Sequence, residues 1–230
     1  MESFELYREV QSAAKSVLAD IGQHIDPSST ERSIAEKAVE LLAARGIQET
    51  WYYNCPALVL LGSRSCESIS GRDYVPGEEP VGDFNLVTID LSPCQNSIWG
   101  DCARSFFVEK GFVQANPESP EFCDGKRLLS TLHKDLKQFV SPNTTFRDVH
   151  QHTNATIKQA GYENLDAHGN WGHSIARRLD DRIYTTASNL GRLRDVPFFT
   201  FEPHIRTKRG TWGFKHEDIY FFDGATVCEL

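Results

Sequence analysis

The sequence predicts an α+β fold made of two similar halves, each a pair of helices followed by a hairpin whose apolar strands carry acidic side chains. Three observations predict it. Apolar residues recur at helical intervals in four stretches, two before residue 46 and two between 125 and 160. Each pair of stretches is followed by β-branched and aromatic runs of strand length. Within those runs stand isolated carboxylates, Asp90 and Asp101 after the first pair, Glu202 and Glu217 after the second.

Phe4, Tyr7, Val10, Ala14, Val17 and Ile21 line one face of a helix predicted over 2–21. Asp26-Pro27 interrupts the chain. Ser28-Ser-Thr-Glu31 then resembles a capping box opening a second helix, which runs to about Arg45 and is closed by Gly46. Residues 51–61 read as an apolar strand, and 62–80, rich in Gly, Ser and charge, as a loop. Residues 84–91 and 99–108 read as two strands joined by a polar turn with Pro93, Gln95, Asn96 and Ser97. In that antiparallel hairpin Asp90 and Asp101 lie near the loop and converge on one face. A Pro/Glu/Ser linker, 115–120, precedes helices predicted over 125–139 and 145–160. The last strands are 197–205, carrying Glu202, and 213–222, carrying Glu217. In the first of these, alternation puts Thr200, Glu202 and His204 on one face and Phe199, Phe201 and Ile205 on the other. The expected organisation is one domain over 1–230: a helical extension over 1–27, a first half over 28–112 and a second half over 121–230.

Composition narrows the partners. With 40% hydrophobic and 24% charged residues among 230, the chain reads as an ordinary globular protein, long enough for a sizeable core. A net charge of −8 without a basic stripe argues against nucleic acid. No run is apolar enough to span a membrane, and the N-terminus lacks the basic-then-apolar layout of a secretion signal; no membrane partner and a cytoplasmic location are expected. The six cysteines form no CxxC pair and read as reduced thiols, with Cys94 and Cys102 as small packing residues.

Asp90 stands between Ile89 and Leu91 in an apolar strand. Two carboxylates as close as Asp90 and Asp101 repel, and one stays protonated unless a cation lies between them. Hard oxygen ligands in need of a cation are the start of a metal site. Glu202, Glu217 and His173, the last in Trp171-Gly-His-Ser-Ile-Ala, complete four carboxylates and one imidazole, the inventory of a two-metal hydrolytic centre. Arg104 and Lys215 lie close enough in sequence to neutralise single carboxylates. Five ligand-type residues in order favour the metal.

That order, Asp90, Asp101, His173, Glu202, Glu217, resembles the metal-ligand set of the methionine aminopeptidase / Xaa-Pro aminopeptidase / creatinase family of pita-bread enzymes. The words around it are similar too: Ile89-Asp-Leu, Gly100-Asp-Cys-Ala-Arg, Gly172-His-Ser-Ile, Thr200-Phe-Glu-Pro and His216-Glu-Asp, with an eleven-residue step between the aspartates. The resemblance covers roughly residues 30–225. It implies the pita-bread fold, two pseudo-symmetric halves around a central dinuclear site. It implies two divalent ions, with Asp90 chelating one, Asp101 and Glu217 bridging both, and His173 and Glu202 completing the other. Oxygen-rich ligation with one histidine suits manganese, iron or cobalt, and zinc also fits. The implied chemistry is hydrolysis at a peptide N-terminus, or of a related amide, by a hydroxide bridging the ions, with Glu202 also shuttling the proton.

The sequence departs from that family in two places. Its peptidases usually place a histidine seven residues after the metal histidine, where Asp180 stands here, and another about eighteen residues before the first aspartate, where Arg72 stands. A substrate with its own charges suits the exchange, Arg72 holding a carboxylate bidentately and Asp180 an amine. Of the remaining imidazoles, His204 and His168 are candidates to supply a proton. His204 is the better placed, since it shares the Glu202 face with Thr200, itself a candidate substrate contact. Three readings stay open: an aminopeptidase-like hydrolase, other chemistry such as iron-dependent oxidation at the same centre, and a non-catalytic binding module. The expected substrate is a small peptide or amino-acid-like molecule. A short architecture without the extra N-terminal domain of the larger relatives is expected, as a monomer or homodimer.

Overall fold

Four helices form where apolar spacing places them: α1 (Glu2–Ile21), α2 (Glu31–Ala43), α3 (Pro120–Phe139) and α4 (Phe146–Gln159), in a computed structural model that describes residues 2–230. Their starts follow local hydrogen bonding. Thr30 caps α2, accepting from the Ser33 N–H while the Ser33 hydroxyl accepts from Thr30. The capping box therefore sits one residue pair away from where Glu31 would place it. Glu31 instead turns inward and accepts from the Leu61 and Gly77 N–H groups and from Arg64. It ties the 62–80 loop to the helix. Thr145 and Asp148 form the corresponding box at α4. Helix α3 starts five residues before its predicted boundary, because Pro120 fits the first turn and the Glu109 carboxylate accepts from the Glu118 and Ser119 N–H groups, each at 2.7 Å.

The first half holds β1 (Glu49–Thr50), β2 (Ala57–Leu61), β3 (Phe84–Leu91), β4 (Pro93–Gln95), β5 (Ile98–Trp99), β6 (Cys102–Glu109) and β7 (Phe112–Gln114). An antiparallel sheet runs β2-β3-β6-β7, with Asp90 opposite Leu58 and Ala103, and a small sheet runs β1-β4-β5. The strand predicted over 51–61 is shorter than expected. Tyr53 and Asn54 adopt φ of 48° and 58°, turning the chain so that Trp51–Tyr53 form a corner and pairing resumes at Ala57.

The second half holds β8 (Tyr162–Asn164), β9 (Phe199–Phe201), β10 (His204–Thr207), β11 (Phe214–Lys215), β12 (Asp218–Asp223) and β13 (Thr226–Glu229), in sheets β9-β12-β13 and β8-β10-β11. The predicted hairpin is divided at Glu202-Pro203: Pro203 has no N–H to donate, so β9 pairs with β12 and β10 with β11. The halves are stitched where Ala103 and Glu217 exchange backbone hydrogen bonds of 2.9 and 3.3 Å.

Strand β3 explains why its sequence does not alternate. Val87, Ile89 and Leu91 pack with α1 and α2 in one core cluster, while Leu86 joins α3, α4 and the second-half strands in the other. Helix α1 is no appendage: Val10, Ala14, Val17 and Ile21 are wholly buried in the first cluster. Among the described residues no helix is long and apolar enough to cross a membrane, and all six cysteines are free.

Candidate metal centre

Asp101 follows the break between β5 and β6, where it has no strand neighbour to pair with. Gln11 of α1, wholly buried, takes that place: its Oε1 accepts from the Asp101 N–H and its Nε2 donates to the Asp101 carbonyl, both at 2.8 Å. Helix α1 thus holds the backbone from which the carboxylate points inward.

His173 is placed by its neighbour. Gly172 has φ of +130°, and a Cβ there would lie 2.3 Å from the Thr200 carbonyl oxygen. Without that side chain the segment passes close to β9. The His173 N–H then donates to Thr200 Oγ1 at 3.0 Å, and the Thr200 N–H to the His173 carbonyl at 2.7 Å. On the ring, Nδ1–H donates to the Ser174 carbonyl at 3.0 Å. Nε2 is left with its lone pair free, 3.4 Å from Asp101 Oδ2.

Glu217 approaches from the other half. Ligand atoms of Asp101, His173 and Glu217 all lie within 4.8 Å of one another, and all three residues are buried. Asp101 Oδ2 and Glu217 Oε1 have no hydrogen-bond partner, the two carboxylate oxygens so placed among the described buried side chains. Buried anionic oxygens without partners are costly. Two of them facing an imidazole lone pair fit a divalent cation in both charge and donor type.

Asp90 and Glu202 line the same cavity, of about 360 Å³. Lys215 reaches into it, with Nζ 2.5 Å from Asp90 Oδ2, 3.6 Å from Glu202 Oε2 and 3.9 Å from Glu217 Oε2. Arg104, the other sequence-level partner, goes elsewhere: it pairs with both oxygens of Asp218 at 2.8 and 2.9 Å and donates to the Glu217 carbonyl. Around the cavity the carboxylates outnumber the Lys and Arg side chains. Burial, then the nearby carboxylates, push Asp101 and Glu217 well above the ordinary range. Burial raises Glu202 to about 7 against the pull of Lys215. Burial and the Arg182 charge lower His173 to about 3, so its ring is neutral and able to ligate.

The structure separates the other sequence candidates. Arg72 is exposed, its guanidinium 4.7 Å over the Tyr53 ring and bonded to the Tyr53 hydroxyl, outside the cavity lining. Asp180 is exposed on a 3₁₀ turn, Leu179–Asp181, and does not line the cavity either. Both expectations are corrected: an aromatic ring holds the arginine, and the turn leaves the aspartate in solvent. His168 is exposed at the cavity rim. Thr200 lies buried beneath His173 as its N–H acceptor and does not contact the cavity, because the Gly172–His173 segment packs directly against it. His204 gives its Nε2 proton to the Ser65 carbonyl at 2.6 Å, and burial, with Lys215, lowers it to about 4; it borders a smaller recess beside Glu202.

The residue that sequence reading missed is Arg182. It lines the cavity with its guanidinium near the rings of Trp51, Tyr52 and Tyr184, at 5.5, 5.8 and 5.2 Å, and its Nε–H donates to the Leu179 carbonyl. Among the described residues it has no carboxylate within 4.0 Å, unlike Arg104, Arg64 and Lys215. The run Trp51-Tyr-Tyr was the available signal, since three aromatics in a row are wasted on an edge strand but suit a cation-lined wall.

Residues 5–223 match the family model described as Metallopeptidase family M24. Over 155 residues the chain is 24% identical to a methionine aminopeptidase of Staphylococcus epidermidis, covering 63% of this chain and 59% of that one. The X-Pro aminopeptidase of Thermotoga maritima superposes with a TM-score of 0.82 at 15% identity, over 99% of this chain and 60% of that one. The prolidase of Pyrococcus furiosus gives 0.79 at 17%, over 100% and 63%. The chain thus spans about three fifths of the length of these relatives. At such identities the structural likeness shows the fold, the pita-bread arrangement of two halves around a central cavity.

Proposed function

The chain belongs to metallopeptidase family M24, and from that premise we propose a divalent-metal-dependent hydrolase that removes the N-terminal residue of a short peptide or cleaves a related amide. The observation that carries this reading is the pair of buried, unpartnered oxygens, Asp101 Oδ2 and Glu217 Oε1, facing the free lone pair of His173 Nε2.

Asp90, Asp101, His173, Glu202 and Glu217 are the proposed ligands, with Asp101 and Glu217 central. Bound divalent ions supply Lewis acidity and lower the pKa of water. The remaining steps belong to side chains. Glu202 lines the cavity as a carboxylate able to take a proton and return it to the leaving amine. Trp51, Tyr52 and Tyr184 exclude water from one wall and hold the Arg182 guanidinium in place. Arg182, in place of Arg72, is the group to hold a substrate carboxylate, since its planar fork lacks an anionic partner. His204, its Nε2–H committed to Ser65, supports the fold of the 62–66 turn.

The test is elemental analysis of protein purified without chelator, with release of N-terminal residues from a panel of dipeptides and their C-terminal amides under manganese, iron or cobalt. Bound metal with release is the expected result. Arg182→Gln should raise KM for the free acids and leave that for the amides nearly unchanged. Bound metal with no release across the panel would reject peptidase chemistry, and no bound metal under any loading would reject the centre itself.

A further inference from the structure

The cations around the five candidate ligands are unevenly placed. Among the described residues Lys215 is the one Lys or Arg within 4.0 Å of a carboxylate oxygen of any of them; Arg104 reaches only the Glu217 backbone carbonyl. It contacts Asp90, Glu202 and Glu217, and closest of all Asp90; no contact links it to Asp101. The unpartnered oxygens and the free imidazole nitrogen lie on the other side, with Asp101, Glu217 and His173. The protein's own ammonium sits closest to the Asp90 side of the centre and reaches the other side only at Glu217, at 3.9 Å.

Lys215 is held there from its backbone. Its N–H donates to Ser105 Oγ at 2.8 Å, Ser105 Oγ donates to its carbonyl at 3.0 Å, and β11 pairs it with His204.

Resting on the metal reading above, we propose that Lys215 is a built-in counter-cation that makes the centre load unevenly. A first divalent ion takes Asp101, His173 and Glu217, the side that the ammonium touches only at Glu217, 3.9 Å away. A second ion enters only when it displaces the ammonium from Asp90. Even at the dielectric of bulk water, a unit charge about 4 Å from a divalent ion changes affinity by more than about tenfold, and the partly buried site strengthens the effect.

Manganese titration tests this without turnover, following bound metal by equilibrium dialysis and its environment by electron paramagnetic resonance. In the wild type the first equivalent should give an isolated Mn²⁺ signal. A spin-coupled pair should appear only with a second class at least about tenfold weaker. Lys215→Met, which keeps the length of the stem and removes the charge, should narrow the ratio of the two affinities about tenfold or more and bring the coupled signal to lower metal. The same ratio in both proteins overturns the proposal while leaving the metal centre standing; no binding in either overturns both. Should Lys215→Met fail to fold, Asp90→Asn decides: the tight class must survive and the weak class disappear, and loss of the tight class overturns the assignment.

Discussion

Gln11 offers the sharpest test of how the centre is built, because it lies ninety residues from Asp101 in sequence and touches no ligand atom. It is wholly buried, and its amide makes both hydrogen bonds to the Asp101 backbone at 2.8 Å. Gln11→Ala leaves one buried N–H and one buried carbonyl unpaired, each costing about 1–3 kcal/mol. Together with the space left behind, the expected loss is about 3–5 kcal/mol, a large part of a total that is about 5–15 kcal/mol for a typical domain. Gln11→Glu keeps an acceptor for the Asp101 N–H but cannot donate to its carbonyl. It also adds a negative charge near Asp101, so it should weaken folding and strengthen the demand for metal. The assay is urea unfolding in chelator, paired with Mn²⁺ affinity by equilibrium dialysis. Gln11→Ala should lower both stability and affinity, since Asp101 loses the hold that aims it. A stability change below about 1 kcal/mol, or an unchanged affinity, would refute the claim that α1 positions the ligand.

Three further outcomes are expected. Thr200→Val removes the acceptor of the buried His173 N–H and should cost about 1–3 kcal/mol in urea unfolding, with Thr200→Ser restoring most of it; equal losses in both would assign the effect to packing. Hydrogen bonds from the Thr145 side chain and backbone hold the Asp148 carboxyl below its ordinary range, so its contribution is complete above the unfolded value of about 4 and fades as pH falls through the folded one. Asp148→Ala should therefore cost about 0.5–1 kcal/mol at pH 7 and less at pH 3, and an equal cost at both pH values would count against the cap. Adding Mn²⁺ to metal-free protein at about a hundredfold excess over Kd should raise stability by about 2.7 kcal/mol, seen as a higher unfolding midpoint, and a midpoint that ignores metal would remove the centre from the native fold.

What the sequence showed and what it hid divide along physical lines. The helices were legible because their apolar faces repeat every three or four residues and their caps are local, as at Thr145. The candidate ligands that gather round the cavity stood out because a carboxylate in an apolar strand has few reasons to be there. The strand breaks at 51–54 and Glu202-Pro203 were not, since left-handed turns at Tyr53 and Asn54 carry no glycine to mark them, and a proline three residues after Thr200 still permits an alternating reading. Arg72 and Asp180 were inferred by counting along loops, where insertions shift the register without changing any strand. Arg182 was hidden because its partners, Trp51 and Tyr52, lie across the fold. Gln11 was hidden for the same reason: nothing local distinguishes a glutamine that will pair with a strand break from one that will face water.

The segment Lys215–Asp218 shows how one short stretch separates structural from chemical charge. Alternation sends Lys215 and Glu217 to the cavity and His216 and Asp218 to the opposite side. Behind the cavity, both Asp218 oxygens accept from Arg104 Nη2 and Oδ2 also accepts from His216 Nε2 at 2.8 Å, with Lys15 at 3.5 Å, and these charges hold its carboxyl ionised despite burial. A buried carboxylate so completely paired needs nothing more. In front, three carboxylates share one ammonium, and Asp101 receives none. The contrast lies in supply rather than in burial, for Asp101, Glu217 and Asp218 are all at most 4% exposed. Had Arg104 turned forward it would have neutralised the ligands and stranded Asp218. By binding Asp218 and the Glu217 carbonyl together, it fixes the backbone of Glu217, a proposed ligand, while leaving that carboxylate only a share of the Lys215 ammonium at 3.9 Å.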